Sequence, residues 1–164
     1  MKKHIVIGGG SWGSAIASSL CRAKQGTTVI VRNQRDAAML ASGRCRRLPH
    51  CSPTAPIDAT TDHSCLKGAK VIFVAVPVEA NKASFVSIAK HQSATTPAIV
   101  VLCAKGVVSD NQGDAMLLTE LAQKILPNHK IVVFSGPSFA DEVFSGLPTA
   151  LVAAGGDAKA TTTV

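Results

Sequence analysis

The sequence predicts an α/β protein built on a doubly wound, mostly parallel sheet of the Rossmann type, with helices on both faces. Two observations predict it. Apolar, β-branched runs at 4–8, 27–31, 70–76, 98–104, 130–134 and 149–154 alternate with helically spaced stretches at 13–24, 34–42, 79–91, 112–126 and 138–145. Uninterrupted apolar runs belong to strands buried on both faces, and strands separated by helices pair in parallel. The second observation is Gly8-Gly9-Gly10-Ser11-Trp12-Gly13, placed directly between the first strand and the first helix. Right-handed crossovers then leave a crevice at the carboxyl ends of the strands.

The glycines at 8, 10 and 13 fit G-x-G-x-x-G, the pattern of a dinucleotide cradle. Gly8 lets the chain turn off the strand, Gly10 lets backbone approach a pyrophosphate, and Gly13 lets helix and strand pack. The helix then aims free N–H groups and the positive end of its dipole at the phosphates. A tight turn that binds nothing is the competing reading.

The second strand, Thr27–Val31, ends at Arg32, nineteen residues after Gly13. An NAD-preferring site places an Asp or Glu there for the ribose 2′-hydroxyl. Here Arg32 and Arg35 are basic and Asn33 is neutral. An arginine pairs with a 2′-phosphate, which points towards NADP or the use of both cofactors. Alternatively, Arg32 stacks on the adenine or lies in solvent.

Residues 43–62 crowd Gly, Pro, Cys, Ser and Thr together, and read as a long surface loop with poor regular structure. Its Arg44, Arg46 and Arg47 either meet a phosphate or form a solvated charge run, the plainer reading. Further on, Val71–Val76 is a buried strand stopped by Pro77. The run Ile99–Ala104 delivers Lys105 and Gly106 at a strand's carboxyl end. A lysine so placed holds an anionic substrate or polarises a carbonyl, unless it is an ordinary exposed one. The stretch Ser135-Gly136-Pro137-Ser138-Phe139-Ala140-Asp141-Glu142 is a helix-start signal. Capping accounts for Asp141 and Glu142, and Gly136 and Ser138 are candidate donors into the crevice.

At 164 residues the chain is expected to form one domain, 1–164. Its net charge of +7 suits anionic ligands, while 4% aromatics and no tyrosine argue against a base-stacking nucleic-acid surface. Five cysteines without a C-x-x-C pair, and no secretory signal, predict free thiols in the cytoplasm. Apolar runs of about seven residues fall far short of the ~20 that span a bilayer. The five histidines are dispersed, so no metal is expected.

Six blocks together resemble the N-terminal domain of bacterial NAD(P)-dependent glycerol-3-phosphate dehydrogenase. They are Gly8–Ala15, Val31-Arg32-Asn33, Leu48-Pro49, Ala75-Val76-Pro77, Ala104-Lys105-Gly106 and Ser135–Glu142. The likeness covers essentially the whole chain. It implies reduction of dihydroxyacetone phosphate to sn-glycerol 3-phosphate with NADH or NADPH, a step that supplies phospholipid precursors. Carried over by position, it implies cofactor contacts at Ser11, Trp12, Arg32, Lys105 and Ala140, with Gly8, Gly10, Gly13 and Asn33 completing that set. It implies substrate contacts at Lys105, Gly136 and Ser138.

Two local departures stand out. Arg44 and Arg47 replace the family's asparagine and tyrosine, and Val78 replaces a small hydroxylated residue. The family also has a helical C-terminal domain carrying the catalytic lysine and an arginine–asparagine pair, whereas this sequence stops at Val164. The expectation is a dehydrogenase half with negligible activity alone, completed by the missing domain or by another chain, for instance in a homodimer. A stand-alone NADP(H)-sensing module without turnover is the second reading. A nucleic-acid binder, resting only on the +7 charge, is the third.

Overall fold

The computed structural model describes residues 3–52, 54–109 and 113–164. The apolar runs become strands β1 (His4–Ile7), β2 (Thr27–Ile30), β4 (Val71–Val74), β5 (Ile99–Leu102), β8 (Lys130–Ser135) and β9 (Val152–Gly155). With β3 (Asp58–Thr60) they form one sheet in the order β3-β2-β1-β4-β5-β8-β9. Every pairing is parallel except β8 with β9, where Val132 faces Gly155 and Ser135 faces Val152. The expected fold class is therefore met.

Helices α1 (Ser11–Arg22), α2 (Gln34–Ala41), α3 (Asn81–His91), α4 (Leu118–Ile125), α5 (Ala140–Ser145) and α6 (Ala158–Thr163) complete the fold. Alternate strand residues feed opposite layers, as the pleat requires. Val6, Val29, Phe73 and Val101 pack with Ile16 of α1, Leu40 of α2 and Phe144 of α5. Ile5, Ile72, Val74 and Val100 pack with Phe85 and Ile88 of α3 and Ala122 of α4. Both faces of the central strands are thus dry, which explains their unbroken apolar runs.

Three elements differ from the sequence reading. The loop expected over 43–62 contains β3, a short edge strand whose Asp58-Ala59-Thr60 offers no apolar run to recognise. The helix expected over 112–126 starts at Leu118, because Ala115–Leu117 forms β7 and pairs antiparallel with β6 (Val107–Ser109). Glu120 reinforces that later start by accepting the Leu117 N–H at 3.0 Å. Gln112, in the expected helix, and Pro53, in the expected loop, lie outside the described residues. Finally, α6 follows Asp157, whose carboxylate accepts the Ala160 N–H at 2.8 Å. It leaves Val164 beside His4 and Val71, at the amino ends of β1 and β4. Among the described residues, no helix is long and apolar enough to cross a membrane.

At its far end α1 is fastened to α5. Arg22 donates to the carbonyl oxygens of Val143 and Phe144 at 2.6 and 2.9 Å, and Ser18 Oγ donates to that of Phe144 at 3.1 Å. These are last-turn carbonyls of a short helix; that of Val143 also accepts the Gly146 N–H at 3.1 Å.

His129, between α4 and β8, is buried, and neither ring nitrogen has a hydrogen-bond partner among the described residues. Burial holds its imidazole below the ordinary pKa of 6.5, so the fold favours the neutral ring. Stability is expected to be full above about pH 6.5 and to fall as pH drops below it, by at most about 1.4 kcal/mol per pH unit. Thermal melts between about pH 7.5 and 5 check this. His129→Gln should flatten that limb, and an unchanged slope in the variant would assign it elsewhere.

Candidate functional site

In the strand order, β1 continues to β2 on one side while β4 returns on the other. The gap between their onward connections is where a doubly wound sheet holds its ligands. A cleft of about 910 Å³ opens there. Its floor is Gly8, Gly9 and Gly10 after β1, Arg32 after β2, Ala75-Val76-Pro77 after β4 and Cys103 after β5.

The glycine bend is built as the spacing requires. Gly8 has φ +111°, and a Cβ there would stand 2.5 Å from the Ala75 carbonyl oxygen. A Cβ on Gly13 would stand 1.9 Å from the Gly8 carbonyl oxygen, so the first turn of α1 rests directly on the bend. The first bond of α1 runs from the Ser14 N–H to the Gly10 carbonyl at 3.0 Å. The N–H groups of Ser11, Trp12 and Gly13 precede it and have no partner within the helix. Ser11 and Trp12 line the cleft with Gly10. Burial pushes the Cys103 thiol up to about 12, partly offset by the Trp12 indole beside it, so Cys103 is a neutral part of the wall.

Of the residues singled out from the sequence, Gly8, Gly10, Ser11, Trp12 and Arg32 share this cleft, and Gly13 supports it from beneath. Asn33 caps α2: its Oδ1 accepts the Asp36 N–H at 2.9 Å and its Nδ2 donates to Asp36 Oδ2 at 3.1 Å. Lys105, Gly136, Ser138 and Ala140 lie outside the cleft wall. They follow the neighbouring strands β5 and β8, in which Leu102 faces Val133 and Lys105 and Gly136 each come three residues later. Val78 packs beside Gly106, the residue after Lys105. Its Cγ2 lies 3.0 Å from where a Cβ on Gly106 would be, so it braces the segment that bears Lys105.

Other cleft residues escaped the sequence reading. Thr61 and His63 follow β3, which was not foreseen, although Asp62 accepting the Ser64 N–H at 2.8 Å is a turn signal of the kind sequences show. Asp36 also lines the cleft, four residues beyond the position where no acid was found. Arg46 and Arg47 line it too while staying exposed, so the charge run is solvated, as the plainer reading expects, and also borders the cleft. Only Arg44 stays outside. Arg46 Nε donates to Asp36 Oδ1 at 2.9 Å, and that bond holds the Asp36 carboxyl below the usual carboxylate range.

Residues 3–161 match the family model described as the N-terminus of NAD-dependent glycerol-3-phosphate dehydrogenase. The chain belongs to that family. It is 34% identical over 154 residues to glycerol-3-phosphate dehydrogenase [NAD(P)+] of Mesorhizobium japonicum, covering 93% of this chain and 43% of that protein. The enzyme of the same name from Afipia carboxidovorans is 35% identical over 150 residues, covering 91% and 45%. The crystal structure of glycerol-3-phosphate dehydrogenase from Coxiella burnetii superposes with a TM-score of 0.84 at 27% identity, over 99% of this chain and 49% of that one. The chain thus spans about half the length of the glycerol-3-phosphate dehydrogenases it matches.

Proposed function

We propose that residues 1–164 form the dinucleotide-binding unit of a glycerol-3-phosphate dehydrogenase and hold NAD(P)(H) in the cleft above the glycine bend. The observation that carries this reading is the seat of α1 on Gly8, which sets Ser11 and Trp12, whose N–H groups have no partner within the helix, and the positive end of the helix dipole at the cleft. That arrangement fits a pyrophosphate, and Gly10 at the cleft wall leaves room for it. Nicotinamide, when bound, supplies the hydride that converts a ketone carbon to an alcohol.

This chain's residues bind and orient. Ser11 and Trp12 flank the phosphates, and Arg32 sits at the adenosine end for a 2′-phosphate. Lys105, Gly136 and Ser138 form the substrate group beside β5 and β8, with Ala140 at the border between the two ligands. The ammonium of Lys105 offsets charge on dihydroxyacetone phosphate or on its carbonyl oxygen. The remaining half-length of the relatives is where the family resemblance puts the proton-donating lysine, so turnover belongs to the completed site. A helical domain or a second copy would complete it. Five free cysteines support a cytoplasmic location.

Titration calorimetry with NADPH and NADH tests the reading directly, and binding of neither overturns it. Replacing Arg32 with Asp should weaken NADPH about a hundredfold, through loss of a charge-assisted contact and gain of a like charge. NADH should change by less than about threefold. An equal loss for both cofactors would remove Arg32 from the 2′-phosphate role.

A further inference from the structure

The segment after α2 presents its arginines to the cleft through a particular local device. The Leu48 N–H donates to the Cys45 carbonyl at 3.0 Å, closing a turn whose two central residues are Arg46 and Arg47. Both flanking side chains are sunk in the core: Cys45 is 4% exposed and Leu48 8%. The turn is therefore pinned at its base, with its two cations at the tip. Thr54 N–H donating to the Gly43 carbonyl at 2.8 Å closes the wider loop beneath it.

The two arginines differ in what they do. Arg46 is engaged with Asp36, while Arg47 makes no hydrogen bond or ion pair to a described residue. Asp36 is the acid an unphosphorylated ribose would look for, but each of its oxygens already accepts a hydrogen bond. Oδ1 accepts from Arg46 Nε at 2.9 Å and Oδ2 from Asn33 Nδ2 at 3.1 Å. Glu79, the other acid in the lining, follows β4, two strands from β2 in the sheet. The β2 end of the cleft thus has Arg32, Arg47 and His63 facing it, and an acid already paired with Arg46.

The geometry points to Arg47 as the residue that, with Arg32, makes this cleft selective for a 2′-phosphorylated dinucleotide, while Arg46 cancels the acid that would favour the unphosphorylated one. The inference rests on the dinucleotide reading proposed above and adds the residue that decides between the two cofactors. A 2′-phosphate carries up to two negative charges, which two guanidinium groups lining the same cleft can share. A ribose hydroxyl gains little from either.

Calorimetric titration of the whole chain with NADPH, NADH and adenosine 2′,5′-bisphosphate tests it. The wild-type chain should prefer NADPH by at least about tenfold and bind the bisphosphate. Arg47→Ala and Arg47→Gln should each cut that preference about tenfold, with NADH affinity unchanged within about twofold and the melting temperature preserved. Arg46→Ala should narrow the preference from both sides, weakening NADPH and strengthening NADH as Asp36 is released. A preference unchanged in both Arg47 variants overturns the inference while the dinucleotide site stands. Binding of neither cofactor by the wild-type chain overturns the site itself, and the inference with it.

Discussion

Gly13→Ala is expected to abolish dinucleotide binding and to lower stability by about 3 kcal/mol. The added methyl would stand 1.9 Å from the Gly8 carbonyl oxygen, which is backbone and cannot rotate aside. Relief requires lifting the first turn of α1 off the bend, and that displaces the N–H groups of Ser11 and Trp12 together. The single tryptophan of the chain lines the cleft, so its emission reports the ligand directly. Urea titration gives the stability change, and NADPH quenching of Trp12 gives the binding change. A variant with wild-type midpoint and wild-type quenching would show that α1 does not rest on Gly8 as described.

Phe144→Ala is expected to cost about 3–5 kcal/mol. Phe144 is fully buried between α5 and the core beneath α1. Truncation empties that volume and loosens a helix of six residues whose end is held by Arg22, Ser18 and the N–H groups of Gly146 and Leu147. Phe144→Leu, which keeps most of the volume, should recover more than half of the loss. Urea denaturation midpoints at constant slope check both values. A loss below about 1 kcal/mol for alanine would mean that α5 is not seated by this residue.

How much of this was legible in the sequence follows from where each signal lives. Strands such as Val71–Val74 are buried on both faces, so composition alone marks them. The glycine bend is a local steric requirement, and Gly8, Gly10 and Gly13 state it in three letters. Lys105 and Ser138 are read from the apolar runs that precede them, although the run ending at Ala104 overstates β5, which stops at Leu102. The turn at Arg46 and Arg47 was illegible for a different reason. Its direction depends on Cys45 and Leu48 being buried against α2 and the sheet, a tertiary fact that charge patterning does not carry. Asp36 lies beyond the strand end where a ribose acid is ordinarily placed, and the first turn of α2 brings it back to the same cleft. β3 and the β6–β7 hairpin are three residues per strand, too short for alternation to stand above noise.

The reversed direction of β9 sets a rule for anyone joining another polypeptide to this one. Because β9 runs against its neighbour, it carries the chain away from the cleft, and α6 delivers Val164 to the opposite rim of the sheet. A fusion partner meant to reach the ligands must first travel back along β8, roughly 17 Å at about 3.3 Å per residue. A rigid helix of about eleven residues spans that distance, whereas a two- or three-residue tether leaves the partner stranded on the wrong side.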